Sequence, residues 1–566
     1  MADVSNITIK GENKHEENYN IKDSIARNQL NKTIYYYDNV ENMKNDNNLQ
    51  NGFLVKTLGY FLKNDNGGAI YKVSNTVSDT DVYVTLQNNL YAILQIESTM
   101  NIKCFGVKGD GNTNENDLIA SILNNTNIHK LIFNENESYL VNNFNLTSNK
   151  ILDFNGSTVI INLAEGKFRL QNIENVKVFN VHVKSNINRD TFSSDPNLSL
   201  IYIAGSKNIK LKNIIVDYAI TDGIILARPS GSSHNENIYI ENCNVLNPGR
   251  NGFAITDGKN VYVSNCEFSN ATKWNPRFGI DLEPNFIDDL LENIHINNCL
   301  TQNNGYGSLS FSTLRTSTNI SIYVNNIISN NDNVSGNSFN IIFSNDHTRE
   351  VMATTHNAGI ISINNFQSYN CKGFPIGIYG NKSDEIKFNI DNSEFNCDKV
   401  QIRWYGTAIS TDILGNAFIR AKFNKETGFQ YNCDNFNKGY KNIFIQNESF
   451  SIPSNSESTS QDSTFENVKL AQITSYTASN IKTMIYDGVN NTVINKYGSI
   501  TVTKQDIGIY KIESLSRGAW IMSQNGYNIA LATNGTIQVK NNGVLTDDVI
   551  FIMQTAPTHI GEISYT

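Results

Sequence analysis

The chain has 566 residues, too many for one compact core, which predicts several domains or one elongated repeat array. Apolar residues make up 39% and charged residues 17%, with a mean hydropathy of −0.36, which excludes wholesale disorder and a long charged helical rod. A net charge of −9 argues against non-specific nucleic-acid binding and leaves a neutral or cationic glycan admissible as partner.

The first residues, Met1-Ala2-Asp3-Val4-Ser5-Asn6, lack a basic start followed by an apolar core, so no secretory leader is expected. No run of ~20 apolar residues predicts a membrane span. The seven Cys include no CxxC pair, which predicts free thiols and synthesis in a reducing compartment. Residues 117–123 place apolar side chains at helical spacing with an acid in the first turn, so a short amphipathic helix is expected there, serving as a lid on the first coil of a repeat array. The Asp/Asn run at Asp110 fails as a calcium loop: Glu115 stands where Gly is needed and Ser121 where a bidentate Glu is needed.

Through the middle of the chain one pattern recurs: apolar-x-apolar-x-Asn-apolar. Its copies start at Val176, Ile209, Ile238, Val261, Ile294, Ile322, Ile361 and Phe388. Strict alternation means half-buried strands, and the short step between copies leaves no room for helical crossovers. Stacking the copies predicts a parallel β-helix whose Asn180, Asn213, Asn242, Asn265, Asn298, Asn326, Asn365 and Asn392 form one column. Each amide can then donate to the next at ~4.8 Å, and Asn tolerates the left-handed backbone of a corner. A second strand per coil opens with Gly223, Gly252, Gly279 and Gly307. A β-propeller would need about 40–50 residues and four strands per blade, which these steps do not supply. Cys243, Cys266 and Cys299 follow the Asn column at inward positions and are expected to be buried thiols. Past residue 440 a polar stretch, 451–460, reads as a linker, and alternating strands from Thr464 onward predict a β-sandwich.

For chemistry the segment Pro276-Arg277-Phe278-Gly279-Ile280-Asp281-Leu282-Glu283 stands out. With Ile280 and Leu282 inward, Arg277, Asp281 and Glu283 share the outer face of one strand. Carboxylates two residues apart on a strand are ~6.5–7 Å apart, within the span for an acid and a base with water between them. Asp257 and Asp222 are expected to assist from neighbouring coils, Arg250 to bind an anionic substituent, and Trp274 to offer a ring beside Arg277. A solvated edge of paired charges is the plainer alternative. Asp346, His347, Arg349, Glu350 and His356 occupy the longest insertion, and their spacing matches no compact metal site. Arg403-Trp404-Tyr405 could stack on a sugar or pack on a neighbour. Neither a metal nor a cofactor is called for by any motif.

The segment Phe105-Gly106-Val107-Lys108-Gly109-Asp110-Gly111-Asn112-Thr113 resembles the entry motif of the pectate-lyase-like superfamily of right-handed parallel β-helices. The stretches Asn51-Gly52-Phe53-Leu54-Val55-Lys56-Thr57-Leu58-Gly59-Tyr60 and Asp65-Asn66-Gly67-Gly68-Ala69-Ile70-Tyr71 resemble the segment ahead of the helix in phage tail spikes. With the coils, the resemblance covers roughly residues 35–435; it departs at Asn114-Glu115-Asn116-Asp117, where that family carries two consecutive Asp. It implies a homotrimer, a virion-attaching region over residues 1–100, a β-helix over 101–440, and a C-terminal domain over 441–566 for trimerisation or carbohydrate binding. It also implies a phage tail protein, released by lysis, that meets a host surface glycan such as capsule or teichoic acid. Hydrolysis by Asp281 and Glu283 is the first reading; a lyase fits less well, since the sequence puts no Lys/Arg/His cluster on the carboxylate face. A receptor-binding appendage without catalysis and a structural shaft are the alternatives.

Overall fold

The computed structural model describes residues 6–10, 16–20, 34–313, 315–316, 318–346, 358–381 and 386–399, with strands and a few short turns between 401 and 554. His347, Arg349, Glu350, His356 and residues 452–460 lie outside the described residues. Asp346 and Arg403-Trp404-Tyr405 are placed only as backbone of the strands Phe339–Asp346 and Gln401–Gly406. The chain divides into two compact units, one of residues 1–166 with 175–183 and one of residues 167–174 with 184–566.

In the first unit, Ile34–Tyr37, Leu54–Thr57, Ile70–Ser74, Tyr91–Leu94 and Tyr83–Thr85 form a five-stranded sheet. The expected amphipathic helix is Asn116–Asn124, with Ile119, Ile122 and Leu123 buried. The Asp110 carboxylate accepts from the backbone N–H of Asn112 and Thr113 and from the Thr113 hydroxyl, and these bonds pull its pKa down to about 2. It is fully engaged by its own turn.

The second unit holds the β-helix that the repeat predicts. Lys207–Asp217, Glu236–Glu241, Gly258–Ser264, Leu291–Gln302, Ile320–Asn330, Gly359–Cys371 and Ile386–Cys397 pair in parallel. The first apolar residue of each copy lies beside that of the next: Ile209, Ile238, Val261, Ile294, Ile322, Ile361 and Phe388. All seven are buried, so each coil buries its inward row against the coil before it. Cys299 continues in register as Ile327 and Phe366, and Cys243, Cys266 and Cys299 are buried free thiols.

Every Asn of the predicted column has a left-handed backbone, with φ between 47° and 57°. Asn242 donates to Asn213 at 3.3 Å, Asn326 to Asn298 at 2.9 Å and Asn365 to Asn326 at 2.8 Å. Two further ladders turn other corners. Asn237 donates to Asn208, Asn260 to Asn237 and Asn293 to Asn260; Asn270 donates to Asn247 and Asn331 to Asn303. All of these also have positive φ. Asn has the smallest conformational penalty of any residue with a side chain there, and the ladder satisfies its amide.

Nearer the C-terminus, Thr492–Tyr497, Lys482–Asp487, Val549–Gln554 and Ala519–Ser523 form one sheet. Thr501–Asp506, Ile509–Glu513, Thr536–Asn541 and Asn528–Ala532 form another. Tyr510, Ile512, Ile537, Val539 and Ile550 make their shared core, in keeping with the expected sandwich.

Candidate active site

A second parallel sheet of the same unit stacks Phe168–Gln171, Ile201–Ala204, Ile224–Ala227, Phe253–Ile255, Phe278–Leu282 and Gly307–Ser312. Glycine stands at the start of the last four of these segments because the backbone runs close to side chains of the facing sheet. A Cβ on Gly223 would come within 2.1 Å of Val245 Cγ1, and one on Gly252 within 2.7 Å of Phe268 Cβ. From there alternation buries Phe253, Ile255, Ile280 and Leu282 in the core. The opposite row, in register across six coils, is Arg169, Tyr202, Ile225, Ala254, Asp281 and Ser310. A groove of about 830 Å³ runs along that face.

Asp281 lies on the groove, 3% exposed. Its Oδ2 accepts from Asn251 Nδ2 at 3.0 Å, while Oδ1 is buried without a hydrogen-bond partner. Burial first, and the Glu283 carboxylate second, push its pKa up to about 8 against the pull of Ser310 and Arg250. Glu283, half-buried, lines the same groove just past the strand end, its N–H bonded to Ile255 O at 3.0 Å. The pair therefore places a carboxyl that keeps its proton at neutral pH two residues from a second carboxyl.

Arg250 also lines the groove, and Asp222, fully buried, holds it: Nε to Oδ1 at 2.9 Å and Nη2 to Oδ2 at 2.5 Å. Asp195 takes Nη1 at 3.2 Å. Asp222 also accepts from Asn251 N–H, so a chain of bonds runs from Arg250 through Asp222 and Asn251 to Asp281.

Four expected residues stand elsewhere: Asp222, fully buried beneath Arg250, does not line the groove, and three others are further off. Asp257 is fully buried in a turn, accepting from His234 Nδ1 at 2.7 Å, Asn235 N–H at 2.8 Å and Leu290 N–H at 3.0 Å. Its oxygens tie three turns together and do not line the groove. Arg277 takes a left-handed backbone at φ 57° ahead of the strand, which breaks the alternation assumed for it. Its guanidinium lies 4.4 Å over the Tyr306 ring. Trp274, half-buried under Lys273 at 4.8 Å, is not part of the groove lining either.

The expectation that the carboxylate face carries no cationic cluster is corrected. Lys167, Arg169, Arg228, Arg250 and Arg315 all line the groove. They come from four places in the sequence, Lys167 and Arg169 together and the other three apart, so only the stacking of coils collects them. Arg228 is committed to Asp289 at 2.7 Å and to Asp288, and lies over Phe286. Arg315 donates to Asn285 at 3.3 Å. Register alone could have found Arg169 and Tyr202, by carrying the Gly-opened strands two coils back.

No family model matches the chain, and no curated protein does. Among solved structures, the tailspike protein gp49 of Acinetobacter baumannii bacteriophage Fri1, described as a capsular polysaccharide depolymerase, is 13% identical with a TM-score of 0.43, over 93% of this chain and 99% of that one. A tailspike mutant of E. coli bacteriophage HK620, in complex with a pentasaccharide, is 11% identical with a TM-score of 0.42, over 79% and 90%. An endo-xylogalacturonan hydrolase from Aspergillus tubingensis is 14% identical with a TM-score of 0.35, over 59% and 94%. At such identities and scores, the parallel β-helix of this chain rests on its own strand register rather than on these likenesses.

Proposed function

We propose that this chain is a phage tail appendage that binds a bacterial surface glycan, whether capsule, exopolysaccharide or wall teichoic acid, and cleaves it by acid/base hydrolysis. The observation that carries the reading is the Asp281 carboxyl, buried on the groove with one oxygen unpartnered and its pKa pushed up to about 8, two residues from Glu283. Asp281 donates its proton to the glycosidic oxygen as that bond breaks. Glu283 takes a proton from the water that attacks the anomeric carbon from the opposite side. Two carboxylates ~6.5–7 Å apart leave room for that water, the arrangement of an inverting hydrolase. Because Asp281 holds its proton at pH 7, it suits the acid rather than the proton-abstracting base a lyase needs.

A second reading, adsorption without cleavage, draws on the Asn251 bond to Asp281, which supports a purely structural network. Both readings have the protein as a homotrimer at the host surface, attached to the virion through residues 1–100, with residues 441–566 trimerising or binding sugar. The test incubates the full chain with host capsule and wall polymers and measures new reducing ends, and ultraviolet absorbance for the double bond a lyase would leave. Release of reducing ends, lost about 10²–10⁴-fold in Asp281→Asn, supports hydrolysis. Adsorption with no product in the wild type favours the second reading.

A further inference from the structure

Two cations of the groove stand well away from the carboxylates, on the strand Phe168–Gln171 and just before it. Arg169 pairs in register with Tyr202, which pairs with Ile225, then Ala254, then Asp281. Four strand spacings separate Arg169 from Asp281, roughly 19 Å, a distance that several sugar rings would span. Lys167 Nζ lies 4.7 Å over the Tyr202 ring and the Arg169 guanidinium 5.8 Å from the same ring. The Arg169 Nη1 bonds a neutral amide, Gln171 Oε1, at 3.1 Å, and its Nε is buried with no hydrogen-bond partner. Arg228 and Arg250, unlike Arg169, already hold carboxylates of this chain.

Resting on the glycan-cleaving reading, we propose that Lys167, Arg169 and Tyr202 form a distal subsite for an anionic substituent, so that the substrate is an acidic glycan. The floor between is small and apolar: Ile225, Ala227 and Ala254 line the groove beside Tyr202, packed on the buried Ala204. Such a floor gives a sugar ring's apolar face room to lie flat while its charged group reaches the cations. Among the described residues Arg169 holds an amide and no carboxylate, so an incoming anion meets a cation not yet neutralised. A uronate and a phosphodiester share this chemistry.

The test measures equilibrium binding of the full chain to three defined polymers: polygalacturonate, a glycerol-phosphate polymer and neutral dextran. Binding is read separately from cleavage, so a failure of the hydrolase reading leaves this measurement standing. Expected is binding to at least one acidic polymer and none to dextran, with affinity falling as salt is raised. Arg169→Gln and Lys167→Gln each weaken acidic binding roughly tenfold, while Lys259→Gln, on the other sheet, leaves it unchanged. The two acidic arms tell a uronate from a phosphodiester. Dextran bound as tightly as the acids, no acidic polymer bound, or acidic binding unchanged in both Arg169→Gln and Lys167→Gln at unaltered melting temperature overturns the proposal.

Discussion

Asp281 and Asp222 are both buried carboxyls within one hydrogen-bond chain, yet their surroundings differ. Asp222 meets the Arg250 fork and the Asn251 N–H, so every oxygen is used by a positive donor. Replacing it by Asn removes one of the two carboxylates that hold the Arg250 guanidinium, and a loss of about 3 kcal/mol is expected, read from chemical denaturation. Asp281 is buried beside the Glu283 carboxylate with no guanidinium bonded to it, so it holds its proton. Its ordinary value is 3.8 and its folded value about 8. Between those pH values the folded chain keeps a proton that the unfolded chain has released. The stability this supplies is therefore complete below about pH 4 and lost as the pH rises to about 8. Asp281→Asn removes that dependence: the variant should melt higher than wild type at pH 8 and differ little at pH 4, by calorimetry at both. Cleavage by the wild type should fall about tenfold per unit above pH 8, as the acid loses its proton.

At the scale of the element, the coil corner is the unit on which the stack depends. Asn326 sits at φ 55°, donates to Asn298 and accepts from Asn365. Ala there meets the left-handed backbone with a Cβ and breaks two rungs, an expected cost of about 2–3 kcal/mol. Gly accepts the backbone and loses only the rungs, so about half that cost is expected. Hydrogen exchange of the strand Ile320–Asn330 reads both locally, and equal losses in the two variants would place the whole effect in the ladder rather than the backbone. The second ladder had a signal of its own in the sequence. An Asn stands one residue ahead of the first five copies, as Asn175, Asn208, Asn237, Asn260 and Asn293 stand ahead of Val176, Ile209, Ile238, Val261 and Ile294.

For the whole molecule, the proposed homotrimer predicts a sedimenting mass three times the 63.4 kDa chain, independent of reductant because the described thiols are buried and free. A monomer, or a mass that drops on adding reductant, would count against it. Alternation and a repeated Asn sufficed to give the strands, their parallel stacking and the inward row, since each is a local consequence of period and backbone conformation. The neighbourhood of Asp281 and Glu283 on the groove was also legible, because residues two apart in extended backbone point to the same side. Asp257 was not: whether a carboxylate faces a groove or ties a turn depends on His234, Asn235 and Leu290, brought to it from other coils. Arg277 left its expected face through a single left-handed residue. The cationic lining was invisible for the same reason, as the Lys167–Arg169 pair, Arg250 and Arg315 are far apart along the chain and meet only when coils are laid one on another. The sequence by itself determined the coil and its rungs, which are set by neighbours in order. Only the tertiary structure decided the sign of the groove and the protonation of Asp281, because charge and burial sum over residues that the chain order keeps apart.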